Sequence, residues 1–131
     1  MTIVVDASLV VAALVDDGPD GTWADELLAG ETLAAPHLMP VEVASVLRRA
    51  ALAGEIAVEV ASLAHADLLL LRVELFPYEP FADRVWELRA NVTAYDAWYV
   101  ALAETLEAPV ATLDGRLVAA AGPRCAFRIP P

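Results

Sequence analysis

The sequence predicts an α/β protein in which a mostly parallel sheet lies between two layers of helices. Short apolar, β-branched runs, "TIVV", "TLAAP", "RVELFPY" and "APVATLD", recur along the chain, and longer segments of helical period separate them. Strand–helix alternation of this kind favours parallel pairing with helical crossovers. At 131 residues, with no repeat, linker or break in composition, the chain has the size of one domain with one core.

The elements follow in order. "TIVV" is the first strand, and Ser8 is in position to cap a helix running to about Val15. "DDGPDG" is a turn cluster before a short helix near Trp23 to Leu28, and "TLAAP" is the second strand. A helix follows from about Leu38 to Ala53, with Pro40 tolerated in its first turn and Gly54 as its stop. "AVEVASLAHADLLLL" is a further helix, "RVELFPY" the third strand and "EPFADRVWELRAN" another helix. "TAYDAWYVALAETLE" reads as the most clearly amphipathic helix, with Tyr95, Trp98, Tyr99, Leu102 and Leu106 on one side. "APVATLD" is the fourth strand, "GRLVAAAG" a short helix and "CAFRI" an edge strand.

Composition removes several classes of function. Apolar residues make up 59% of the chain, yet no run reaches the about 18 residues of a membrane span and the start lacks the basic end of a secretory signal. A cytoplasmic protein with no membrane association is expected. One cysteine, Cys125, forms no internal disulfide, and with His37 and His65 scattered it makes no zinc site. The net charge of −11 opposes nonspecific nucleic-acid binding. All eight basic residues are arginine, three of them after Asp114, where no acid follows; no lysine is available for catalysis.

In parallel α/β folds, ligands bind outside the carboxyl ends of the strands. Asp6 ends the first strand and Asp114 the fourth; Glu42 lies in the first turns of the helix after "TLAAP", and Asp96 opens the "TAYD" helix. Each acid alone has a structural explanation. Asp6 and Asp114 fit helix caps equally well, Glu42 fits a helix dipole or a solvated face, and Thr93 with Asp96 fits a capping box. Together they carry more. Four carboxylates at about 5 Å repel by about 3 kcal/mol per ionised pair at an effective dielectric near 20, so a cluster of them calls for a cation or bound protons. Oxygen ligands select a hard ion, Mg²⁺ or Mn²⁺, and the chemistry that pairs such ions with carboxylates is metal-assisted phosphodiester hydrolysis.

The same stretches carry a family resemblance. "IVVDAS", "PHLMPVEVASVLRRA", "NVTAYDAWYVALAE" and "VATLDGRL" resemble, in that order, the motifs of PIN-domain ribonucleases, specifically the VapC-type toxins of toxin–antitoxin pairs. The resemblance covers nearly the whole chain. It implies a single PIN-like three-layer α/β/α sandwich over residues 1–131, and an acidic site of Asp6, Glu42, Asp96 and Asp114 that is both catalytic and metal-ligating. It further implies Mg²⁺ or Mn²⁺, and endonucleolytic cleavage of a narrow set of structured RNAs such as tRNA or rRNA. A VapB-type antitoxin with an arginine-bearing tail that enters the site, and a homodimer, are the implied partners. Ser8 and Thr112 match positions where such proteins often carry a hydroxyl. Gly115 and Arg116 stand where some relatives have a further acid, a departure that weighs against a full second metal site. Arg89, Arg116 and the tail arginines are the candidate phosphate contacts.

Two other readings are weighed against this one. Phosphatases of the haloacid dehalogenase type and receiver domains also place an Asp after an early strand, but they need a lysine, which this chain lacks. A noncatalytic module whose acids dock a basic peptide is the better rival, and metal-dependent RNA cleavage separates the two.

Overall fold

A computed structural model describes residues 1–131. Five strands, β1 (Thr2–Val5), β2 (Thr32–Pro36), β3 (Val73–Phe76), β4 (Val110–Ala111) and β5 (Phe127–Arg128), form one sheet in the order β3-β2-β1-β4-β5. Every pairing is parallel. The helices are α1 (Ala7–Val15), α2 (Pro19–Gly30), α3 (Met39–Leu52), α4 (Val58–Leu70), α5 (Ala82–Glu87), α6 (Ala94–Leu106) and α7 (Gly115–Ala119). A parallel sheet needs apolar cover on both faces. Helix α6 lies across β1, β2 and β4 with α5 against it, and α1 to α4 pack on one another as the second group. The expected α/β architecture is therefore present, with a sheet that is parallel throughout.

The central strands read as continuous apolar runs because both their faces are buried: Ile3, Val4 and Val5 have no exposed surface, and neither do Ala35, Val110 and Ala111. The chain builds outward from β1 to β2 to β3, then returns to place β4 on the other side of β1. That reversal between β1 and β4 is the topological switch point, and the crevice it opens at the carboxyl ends of the strands is the usual ligand position. Asp6 and the Thr112–Asp114 segment both sit there, directly after β1 and β4.

Several expected boundaries move, each for a local reason. The cap of α1 is Asp6, whose Oδ1 accepts the Leu9 N–H at 3.1 Å; Ser8 is already the second helical residue. Helix α2 starts at Pro19, earlier than the expected Trp23, because Gly18 serves as the cap and proline suits the first turn. Gly21 is required there, since a Cβ at this position would fall 1.8 Å from the Asp16 carbonyl oxygen. Helix α3 ends as expected, with Gly54 at φ 75°. The expected helix over 79–91 is broken into a 3₁₀ turn at Glu79–Phe81, α5, and a run of turns. Strand β4 is far shorter than "APVATLD". Thr112 Oγ1 accepts the Asp114 N–H at 2.9 Å, which turns the chain out of the sheet.

Helix α6 departs most from expectation. It is enclosed on nearly all sides, with Ala97 and Tyr99 to Ala103 buried, so it is the central helix of the core. Tyr99 and Leu102 are 1% and 0% exposed, whereas Tyr95 is 61% exposed. Most of that apolar side is thus spent on the core, and Trp98 packs edge-on against Tyr78.

Candidate active site

The first carboxylate is built by the end of β1. Asp6 is 7% exposed, and three donors hold it: the Ser8 hydroxyl at 2.6 Å and the Leu9 N–H at 3.1 Å on Oδ1, and the Thr112 hydroxyl on Oδ2. Burial raises the Asp6 carboxyl above its usual range; the hydrogen bonds from Ser8, Thr112 and Leu9 oppose this, and Asp114 adds repulsion. Both hydroxyls are fixed in turn. Ser8 Oγ accepts the Leu113 N–H at 3.1 Å, and Thr112 Oγ1 accepts the Asp114 N–H. The segment after β4 is thereby tied to the segment after β1 through one carboxylate.

The other acids arrive from helix starts, where the dipole favours negative charge. Asp114 caps α7 and accepts the Arg116 N–H at 3.0 Å, with Arg116 Nε at 3.8 Å. Asp96 stands in the first turn of α6; Thr93, not Asp96, is the cap, its hydroxyl accepting the Asp96 N–H at 3.3 Å. Of the expected capping box only this half is made. Burial, then Asp114 and Asp6, push the Asp96 carboxyl up, against the Thr93 hydrogen bond and the opposite pull of Arg116. Glu42, in the first turn of α3, accepts the Tyr99 hydroxyl at 2.7 Å on Oε1. Burial raises its carboxyl, Tyr99 lowers it, and Asp96 and Asp6 raise it further. Tyr99 is itself pushed up by burial and by Glu42, so its phenol stays protonated and donates.

The four sequence candidates are thus brought within electrostatic reach of one another at a single sheet edge. No three of them are close enough to enclose an ion as they stand. The donor set is nonetheless that of a hard divalent cation: carboxylate oxygens backed by hydroxyls, with no thiol or imidazole among them. Three of the four carry raised pKa values through burial and mutual repulsion, a strain that a cation relieves.

Sequence reasoning missed Tyr99, which was assigned to the amphipathic side of its helix. The available signal was spacing: Tyr99 is three residues beyond Asp96 and so lies on the same side of α6. Among the candidate phosphate contacts, only Arg116 stands beside the carboxylates. Arg89 lies 4.6 Å over the Trp86 ring and bonds its carbonyl, and Arg128 pairs with Glu31 at 3.3 Å. Arg124 lines a cavity of about 730 Å³ at the opposite end of the strands, beside Met1, Pro109 and Phe127. None of the four carboxylates reaches that cavity. Two smaller clefts adjoin the site: one of about 240 Å³ holds Asp96, Asp114 and Arg116, and one of about 450 Å³ holds Glu42, Arg49 and Tyr95.

Comparison with known proteins agrees with the fold. Residues 3–123 match the PIN domain family model. Ribonuclease VapC1 of Mycobacterium tuberculosis is 43% identical over 127 residues, covering 96% of each chain. Among solved structures, Mycobacterium tuberculosis VapC20, described as a sarcin-ricin loop cleaving toxin, superposes with a TM-score of 0.68 at 18% identity, over 89% of this chain and 93% of that one. VapBC2 of Rickettsia felis, solved bound to a DNA fragment from its promoter, superposes with a TM-score of 0.68 at 14% identity, over 98% of both.

Proposed function

The chain belongs to the PIN-domain family, among relatives named VapC ribonucleases, and on that basis we propose that it is a metal-dependent endoribonuclease toxin. The observation that carries the reading is the convergence of Asp6, Glu42, Asp96 and Asp114 at the β1/β4 switch point, each of the first three held at a raised pKa in part by other members of the group. Mg²⁺ or Mn²⁺, when bound, lowers the pKa of a water ligand and offsets charge at the leaving oxygen of a phosphodiester.

The chain's own residues divide the remaining work. Ser8, Leu9 and Thr112 fix both Asp6 oxygens, so that carboxylate presents one orientation. Tyr99 does the same for Glu42. Asp96 and Asp114 both line the cleft that also holds Arg116, whose guanidinium supplies positive charge toward a phosphate. Relatives solved as VapBC complexes support an antitoxin partner. The charge of −11 suits a basic antitoxin tail seated on the carboxylates, held in part by salt-sensitive attraction.

The test is cleavage of structured RNA, tRNA and rRNA fragments included, by purified protein in Mg²⁺ and in EDTA, beside Asp96→Asn. Cleavage that needs the metal and falls by orders of magnitude in the variant is expected. No cleavage by the wild type in Mg²⁺ overturns the hydrolase reading and returns the acids to a docking role, while equal cleavage in EDTA or a fully active variant removes the metal and the acids from the chemistry.

A further inference from the structure

The cleft of about 450 Å³ beside Glu42 is distinct from the one that holds Asp96 and Asp114, and the chemistry described so far leaves it unused. Its walls include Ala7, Val41, Glu42, Ser45, Arg49 and Tyr95, and its size is within the about 300–1,000 Å³ of small-ligand sites. Resting on the hydrolase reading, we propose that this cleft is a nucleotide subsite: the Tyr95 ring stacks on a base that flanks the scissile phosphodiester, and Arg49 holds a phosphate of the same strand.

Two residues carry this. Tyr95 is 61% exposed in the first turn of α6, adjacent in sequence to Asp96. Its ring has no aromatic partner and its hydroxyl no hydrogen bond, unlike Tyr78, which packs on Trp98, and Tyr99, which bonds Glu42. Packing does not account for it. Arg49 is exposed and makes no ion pair, although Glu42 lines the same cleft.

The other arginines are committed or remote. Arg84 and Arg128 have acidic partners, Arg116 stands at the other cleft with its Nε 3.8 Å from Asp114, Arg89 lies on Trp86, and Arg48, Arg72 and Arg124 line clefts that contain none of the four site carboxylates. Arg49 is therefore the unpaired cation at the catalytic edge of a strongly acidic chain. An exposed aromatic face beside a free cation, with an apolar wall, is the composition of single-strand binding surfaces. Arg49 lies seven residues beyond Glu42, about 10 Å along α3, so its phosphate is not the scissile one.

This arrangement resolves a conflict between charge and substrate. With a net charge of −11, the protein cannot accumulate affinity through many phosphate contacts, so one stacked base has to contribute a large share.

The experiment is equilibrium binding of a fluorescent single-stranded RNA oligonucleotide of randomised sequence to the full chain carrying Asp96→Asn, which keeps the RNA intact. Tyr95→Ala should weaken binding about 5- to 150-fold, the range of one base–aromatic stack, and Tyr95→Phe should bind as the parent does. Arg49→Ala should lower the slope of log affinity against log salt by about one. Thermal melts confirm folding, which the exposure of both side chains leaves intact. If Tyr95→Ala binds RNA as tightly as its parent, the proposal fails. It also fails if Tyr95→Ala and Arg49→Ala spare RNA binding and instead weaken binding of a basic peptide, which would make the cleft a protein-docking site. Because the readout is binding, failure of the hydrolase reading shows separately, as wild-type protein that binds RNA in Mg²⁺ and never cuts it.

Discussion

Replacing Thr112 with valine tests whether the hydroxyls that hold Asp6 stabilise the protein as well as its site. Thr112 has no exposed surface and valine keeps its shape, so the change removes the hydrogen bond to Asp6 Oδ2 and the acceptor of the Asp114 N–H while leaving little cavity. A hydrogen bond to a charged group contributes about 1.5–3 kcal/mol, and a domain of this size shifts by roughly 3–5 °C per kcal/mol, which places the expected fall in Tm at roughly 5–15 °C. The loss should depend on pH with a definite sign. Burial raises the Asp6 carboxyl, and the Thr112 bond favours its ionised form. Above that raised pKa the bond is charge-assisted; below it the bond is between neutral groups and contributes only about 0.5–1.5 kcal/mol. The gap between wild type and variant should therefore narrow as pH falls through the Asp6 titration. Urea and thermal melts in EDTA, at neutral and mildly acidic pH, measure the gap, and Thr112→Ser should close most of it. Thr112→Val as stable as wild type at neutral pH, or a gap that does not change with pH, refutes the reasoning.

Asp96→Asn should leave metal-free stability unchanged or raise it by up to about 1 kcal/mol, because it removes a half-buried charge repelled by Asp114 and Asp6; a clear loss in an EDTA melt would contradict this. Tyr99→Phe removes a donor that lowers the Glu42 pKa, so the acidic limb of the cleavage pH profile should move to higher pH, and an unmoved limb would detach Glu42 from the chemistry. Glu104 accepts Arg84 Nε at 2.7 Å and the Arg124 N–H at 2.8 Å; burial raises its carboxyl, but these partners outweigh burial and leave it lowered from 4.5. Its stabilisation is present in full above the ordinary carboxylate range and is lost as pH falls through the lowered pKa. Glu104→Gln should therefore cost about 1–3 kcal/mol at neutral pH and much less below that range, as read by urea melts across pH.

The fold was legible where apolar pattern and geometry share a period. β1 and β2 are continuous apolar runs because both faces of a central parallel strand are buried, and Gly54 marks the end of α3 through a positive φ that other residues avoid. Legibility failed where side-chain bonds or tertiary packing decide. Beyond Ala111 the chain is held by hydroxyl-to-amide bonds at Ser8 and Thr112, and no periodicity records those. Helix α6 read as one-sided because its large residues share a side, yet its small residues, Ala97, Ala101 and Ala103, are buried too. Alanine carries too little hydrophobic weight to reveal enclosure from both sides.

At the site, the placing of the four acids near one sheet edge was legible and their hydrogen bonding was not. Sequence pattern set capping against ligation for Asp6 as alternatives, but one oxygen of Asp6 caps α1 and accepts Ser8 while the other accepts Thr112. The two roles belong to the same carboxylate, and asparagine also caps helices well. Asp6→Asn therefore mixes a largely retained cap with a lost charge, and its stability cannot tell a structural acid from a functional one. Asp96 separates them. Thr93 takes the cap of α6, so the Asp96 carboxylate makes no helix-start bond whose loss would destabilise the chain, while burial and its acidic neighbours hold it at a cost. Asp96→Asn is therefore the substitution whose metal-free stability and cleavage activity, measured together, separate a structural acid from a functional one.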